Sequence, residues 1–389
     1  MKYMGSKRTM LSNGLGKVLR EKVCKAKQFT DLFSGSAAVA WYVAENFHCP
    51  VIAADLQSFA VSLAEAVISR DVALDPEIVW QHWSKDAEAS AREGDVFREA
   101  ERFGRGSWKR ARRRSVTEAR AICKESQLPV TKAYGGHYFS PKQAVLIDAL
   151  RSTLPQELLE RRAALAALIS AASECAAAPG HTAQPFQPTK EAAPFLFEAW
   201  RRDVLARTKS ALETICPKHA QIPGKGIVCG AEHLAKQLGE DDLAFLDPPY
   251  SGVHYSRFYH VLETVARGDC ADVTGVGRYP APTERPKSDF SIQTKSKAAL
   301  DRLLSILANR NVRTIVTFPK EKTSNGLSGT IVRETAEKYF KTSMTVVNGR
   351  FSTLGGNLQN RKARIPAYEV ILQLEPIQKR TPRARAVAV

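Results

Sequence analysis

Little in this chain points to a covalently braced or membrane-embedded protein. Its 389 residues hold seven cysteines, at positions 24, 49, 123, 175, 216, 229 and 270, with no C-x-x-C pair. A scattered, odd set of this kind argues against a disulfide framework or a zinc site and fits reduced thiols. No apolar run is long enough to span a bilayer, and the opening segment has no apolar signal core. A soluble, cytoplasmic protein without membrane or metal partners is therefore expected. Acidic residues are scarce relative to basic ones: 40 Asp+Glu against 57 Lys+Arg leaves a net charge of +17. Such an excess suits a polyanion partner, because each phosphate met by Lys or Arg releases a condensed counterion. The remaining composition, 44% hydrophobic, is that of an ordinary globular protein with ample core.

Short apolar runs at 28–33, 51–55, 226–229, 243–246 and 312–318 read as buried parallel strands. Helical patterns at 37–46 and 58–69 follow the first two. This alternation predicts βαβ units, hence an α/β, Rossmann-like fold whose open, mostly parallel sheet has helices on both faces. Two later runs, 344–348 and 368–374, are joined by a Gly- and Asn-rich segment and predict an antiparallel edge. Residues from about 75 to 220 break the pattern. The expected organisation is a first half of the sheet domain at 1–75, an inserted basic subdomain at 76–220, the second half at 221–378, and a basic tail at 379–389. Within the insertion, seven of the thirteen positions 102–114 are basic: Arg102, Arg105, Lys109, Arg110, Arg112, Arg113 and Arg114 surround Trp108. They form either an exposed helix face or a track for a nucleic-acid backbone, with Trp108 against sugar or base.

Three segments carry chemistry. In the first, a strand ending at Asp31 runs through Phe33, Ser34, Gly35 and Ser36 into a helix. So small a turn lets backbone N–H groups approach a ligand at a helix N-terminus. In the second, Asp55 closes the next strand, about 20 residues later, where an acid can accept both hydroxyls of a ribose. Its competing role is a helix N-cap. The third is Asp247-Pro248-Pro249-Tyr250 after a buried strand. Two prolines fix φ and donate no N–H, so the loop is stiff and its carbonyls are left to accept. An exocyclic amine needs such acceptors because its lone pair is delocalised into the ring. Hydrogen bonds to the Asp247 carboxylate and the Pro248 carbonyl would localise that pair toward an electrophile, while Tyr250 stacks on an extruded base.

The Asp-Pro-Pro-Tyr loop resembles the signature of amino-group DNA methyltransferases, and Asp in its first place is similar to the adenine-N6 members. The order of segments resembles the Dam-like DNA adenine methylases over nearly the whole chain. Tyr3, Gly5, Ser6 and Lys7 are similar to that family's N-terminal cofactor segment, and 31–36 to its cofactor loop. Segments 255–264, 312–319 and 352–356 are similar to further family segments, and those around His137 and His181 to segments lining a base pocket. The resemblance implies a Rossmann-like methyltransferase with an inserted target-recognition subdomain. S-adenosyl-L-methionine would be held by Tyr3, Lys7, Asp31, Phe33, Ser34, Gly35, Ser36, Asp55 and Asp247, with catalysis at Asp247, Pro248, Pro249 and Tyr250. It implies methyl transfer to N6 of a flipped-out adenine in double-stranded DNA, by a bacterial or phage-encoded monomer. A cognate restriction endonuclease would be its genetic partner. Other readings are an RNA adenine-N6 or DNA cytosine-N4 enzyme, or a vestigial fold that binds nucleic acid. The chain departs from the family at three places. Tyr3 stands where Trp is usual, and Ser36 replaces a second glycine. Ala231 also stands where an acid is usual, leaving the cofactor's adenine to Glu232 or to backbone. Lys7 has a competing role as a solvated lysine.

Overall fold

The computed structural model describes residues 7–104, 112–352 and 364–377. Its main sheet contains β1 (Gln28–Asp31), β2 (Val51–Asp55), β3 (Lys225–Val228), β4 (Asp242–Leu246) and β7 (Arg313–Pro319), all parallel. β8 (Phe340–Ser352) and β9 (Arg364–Pro376) complete it as an antiparallel edge. A separate two-residue pair, β5 (Val273–Thr274) and β6 (Tyr279–Pro280), lies outside it. The order β3-β2-β1-β4-β7-β9-β8 makes this an α/β, Rossmann-like sheet, as the alternation predicts. Strand boundaries agree with the expected runs to within two residues in the parallel part. The edge is longer than expected, because β8 and β9 keep pairing from Phe340↔Pro376 to Ser352↔Arg364 through polar residues that carry no apolar pattern.

Side chains alternate between the two sheet faces, as the pleat requires. Phe29, Val51, Ala53, Leu243, Phe245, Ile315 and Ile371 join one apolar cluster. Ala54, Ala244, Leu246, Val316, Phe318 and Leu372 join the other. Helices Gly16–Val23, Ala38–Asn46 and Ser58–Ile68 contribute to the first cluster, and Ala231–Ala235, Ser296–Asn309 and Gly329–Glu337 to the second. Burial on both faces explains why these strands read as unbroken apolar runs.

Between β2 and β3 the chain builds a helical block. Its local signals are strong: Asp75 caps Pro76–Glu93 through Glu77 and Ile78 N–H, and Ser140 with Gln143 forms a capping box on Pro141–Ser152. The central helix, Leu158–Cys175, packs against Ser58–Ile68 and Val204–Ile215. Its buried Ala163, Ala164, Ala167 and Ala171 allow close approach. The apolar cluster runs without a break from the sheet into this block, through Trp83, Tyr134 and Leu168. A smaller cluster of Phe103, Val116, Leu196, Phe197 and Trp200 joins helices Phe97–Gly104, Arg112–Lys124 and Ala193–Trp200. Among the described residues no helix is long and apolar enough to cross a membrane.

Candidate active site

In this sheet the strand order reverses between β1 and β4, and the crevice beyond their C-terminal ends is where open α/β sheets bind ligands. Asp31 ends β1 and Asp247 follows β4, so topology alone brings them together. They line one cavity of about 380 Å³ with the turn 33–36, Asp55, Pro249, Tyr250 and Tyr255.

The turn and the second acid form one unit. Gly35, at φ +46°, donates its N–H to Asp55 Oδ2 at 3.1 Å. Asp55 Oδ1 accepts from Gln57 N–H at 3.0 Å. Asp55 is not the N-cap of the next helix; that place is held by Gln57, and the first N–H groups are taken from elsewhere. Glu263 accepts from Ser58 and Phe59 N–H at 3.0 and 3.1 Å. Each Asp55 oxygen therefore keeps acceptor capacity at the cavity wall.

Lys7 is buried rather than solvated. Its Nζ lies 3.1 Å from Asp247 Oδ1 and 2.6 Å from Glu369 Oε2 on β9. Burial alone would lower its pKa, but the charges of Asp247 and Glu369 outweigh that and hold it above the ordinary value. Thr317, at the end of β7, donates to the same Asp247 Oδ1 at 2.9 Å. No hydrogen bond from a described residue reaches Asp247 Oδ2 or the Pro248 carbonyl. One oxygen is thus anchored, and two acceptors side by side on the chain remain. Tyr250 meets Tyr255 edge-on at 6.4 Å between ring centroids, and burial pushes its phenol up to about 12.

Burial raises the acids as a group. Asp31 is pushed up to about 8, held back by the Phe33 N–H and helped by Asp247 and Asp55. Asp55 and Asp247 both rise to about 6; Gln57 and Gly35 N–H groups oppose the first shift, and Lys7 the second. Desolvated carboxylates of this kind favour a cationic ligand, which would return them to their charged form. Around the cavity, four buried polar atoms have no hydrogen-bond partner among the described residues: Ser34 Oγ, Gln57 Oε1, Ser256 Oγ and Ser291 Oγ. All four residues line the cavity. Buried polar atoms are normally bonded, so these fit a polar, hydroxyl-bearing ligand.

Other expected residues divide. Cys229, Gly230, Ala231 and Glu232 line the cavity, with Glu232 paired to Arg302 at 3.0 Å. Of 255–260, Tyr255 and Ser256 reach it. Tyr259 packs on Phe59 at 5.4 Å, and His260 sits buried between the Arg257 and Gly277 carbonyls, its pKa lowered by burial to about 4. His137 is lowered to about 3 by burial, Arg120 and Arg278, and does not line the cavity. His181 accepts from Ala183 N–H at 3.1 Å and lies 5.1 Å from the Phe258 ring. Arg102, Arg112, Arg113 and Arg114 are exposed on helices Phe97–Gly104 and Arg112–Lys124. Tyr3, Arg105, Trp108, Lys109 and Arg110 lie outside the described residues. Sequence reasoning missed Glu369, Thr317, Glu263 and the wall 286–291. A single acid inside the apolar run 368–374 was the available sign of Glu369.

This sheet order, with an acid–Pro–Pro–aromatic loop at the switch point, defines a Rossmann-like methyltransferase of the amino-group type. Residues 3–277 match the model of the D12 class N6 adenine-specific DNA methyltransferases, and the chain belongs to that family. It is also similar to a modification methylase, LlaI, of Lactococcus lactis subsp. lactis, at 25% identity over 308 residues. That alignment covers 77% of this chain and 43% of the relative, so the chain spans less than half of that protein's length.

Proposed function

We propose that this protein transfers the methyl group of S-adenosyl-L-methionine to N6 of an adenine flipped out of double-stranded DNA. The observation that carries this reading is the Asp247 carboxylate at the cavity wall: Lys7 and Thr317 hold its Oδ1, and no described residue donates to its Oδ2 or to the neighbouring Pro248 carbonyl. Two acceptors match the two hydrogens of an amino group. Asp247 in its carboxylate form draws the nitrogen lone pair out of the ring, and Tyr250 supplies an aromatic face for the base. Bound S-adenosyl-L-methionine supplies an electrophilic methyl on a sulfonium. Asp55 and the 33–36 turn suit its ribose, and Asp31, with the orphaned Ser34 and Gln57 atoms, suits its charged and polar groups. With that donor bound, Asp247 and the Pro248 carbonyl would hold N6 for attack on the methyl; the sulfur would leave as a neutral thioether and the surplus N6 proton would pass to solvent. The chain's part is alignment and fixed acceptors.

In this reading the helical segment 76–220 recognises the target, and its exposed arginines contact the DNA backbone. A restriction endonuclease of matching specificity is the proposed genetic partner, supported by the relative's name as a modification methylase. Labelled methyl transfer to duplex DNA, followed by nucleoside analysis, tests the assignment. N6-methyladenine is expected; label confined to RNA, or appearing as N4-methylcytosine, would sink it.

A further inference from the structure

Beyond the residues that match the family, a short loop at 323–327 grips the catalytic segment. Its centre, Asn325, is fully buried. The Asn325 Nδ2 donates to the Pro249 carbonyl at 2.7 Å and to the Phe290 carbonyl at 2.9 Å. Its Oδ1 accepts from Thr323 Oγ1 at 2.6 Å and Leu327 N–H at 3.2 Å. The loop is itself tied down, since Ser296 Oγ donates to the Asn325 carbonyl at 2.8 Å. It meets the catalytic segment a second time, where Gly252 donates its N–H to Ser324 Oγ at 2.9 Å. That approach is close enough that a Cβ on Gly252 would lie 2.7 Å from the Ser324 carbonyl oxygen.

Two consecutive prolines have fixed φ, so the direction of their carbonyls is set by ψ alone. A bond to the Pro249 carbonyl therefore fixes the peptide plane next to the Pro248 acceptor. The second bond runs to Phe290, whose ring meets Phe33 of the glycine turn at 5.2 Å, so one amide nitrogen joins both walls of the cavity. Only a side-chain amide offers two hydrogens on one uncharged nitrogen for this task. We infer that Asn325 is a positioning residue for methyl transfer: it holds the Pro248 carbonyl and Asp247 in the orientation that receives the amino group. This role rests on the reaction proposed above.

The test compares wild type, Asn325→Ala and Asn325→Asp by single-turnover methylation of duplex DNA. Cofactor affinity by calorimetry and melting temperature are measured alongside. Misplacement of a reacting group by 1 Å costs about 100-fold in rate. Both variants should lose roughly 30- to 100-fold in rate while cofactor affinity stays within about threefold. The near-isosteric Asp variant decides the matter if the Ala variant fails to fold. Its carboxyl regains one donor on protonation, so its rate relative to wild type should rise as pH is lowered from about 8.5 to 6.5. Taking the ratio cancels the titration of Asp247, and a purely structural role would leave the ratio flat. A folded Asp variant with a rate near wild type overturns the inference, as does a flat ratio or a rate loss matched by lost cofactor affinity. Wild type that methylates no adenine overturns the reaction itself and this role with it, whereas active wild type with unaffected variants overturns the role alone.

Discussion

The cavity at the sheet switch point and the basic segment on the helical block use charge in opposite ways. In the cavity, Asp31, Asp55, Asp247 and Lys7 are desolvated, hydrogen-bonded and held to definite positions by strand ends. On the block, Arg102, Arg112, Arg113 and Arg114 stand in water, and only the apolar undersides of their helices are fixed. Buried charge is costly and geometrically defined, so it suits chemistry; exposed charge is cheap and adaptable, so it suits affinity for a polyanion. Substitutions in the two regions should therefore fail differently.

The largest effect is expected at Asp247. Asp247→Ala should reduce the single-turnover rate by about 1,000-fold or more, with a much smaller change in cofactor binding. Near-normal methylation by that variant would erase the distinction. Replacing Arg112, Arg113 and Arg114 together by Ala should instead weaken DNA binding by roughly 10- to 100-fold. It should also flatten the dependence of log affinity on log salt by up to about 0.9 per lost phosphate contact. An unchanged salt slope would show that these arginines do not track the backbone.

The smallest effect is in pH. Asp247 has its pKa raised to about 6 by burial, so it is the carboxylate above that value and becomes protonated as pH falls through it. The rate should drop about fourfold between pH 7.5 and 5.5 for a single group of that pKa. Glu369 raises the Asp247 value, so Glu369→Gln should move the midpoint of this profile to lower pH. A midpoint that moves upward would mean that losing Glu369 displaces Lys7, the larger charge beside Asp247, from its place at Oδ1.

The parallel strands were legible because burial on both faces leaves unbroken apolar runs, and the three aspartates were legible because each ends or follows such a run. The Lys7–Glu369 pair was not, since it joins positions 362 residues apart and depends on β9 pairing beside β7. Helix Leu158–Cys175 was obscured for a different reason. It buries residues almost all the way round, so its sequence lacks the one-sided periodicity of a surface helix. The wall 286–291 and the loop around Asn325 are irregular backbone, where partner choice follows from tertiary contacts rather than from local pattern.

Glu263 carries a consequence for how the two ligands communicate. It lies on helix His260–Arg267, downstream of the loop Asp247–Tyr250, yet its carboxylate holds the start of helix Ser58–Ile68, just beyond Asp55. These two bonds tie the helix after Asp55 to the helix that follows the Asp247–Tyr250 loop. Thermodynamic linkage then requires that whatever a bound base does to cofactor affinity, bound cofactor does to base affinity by the same factor.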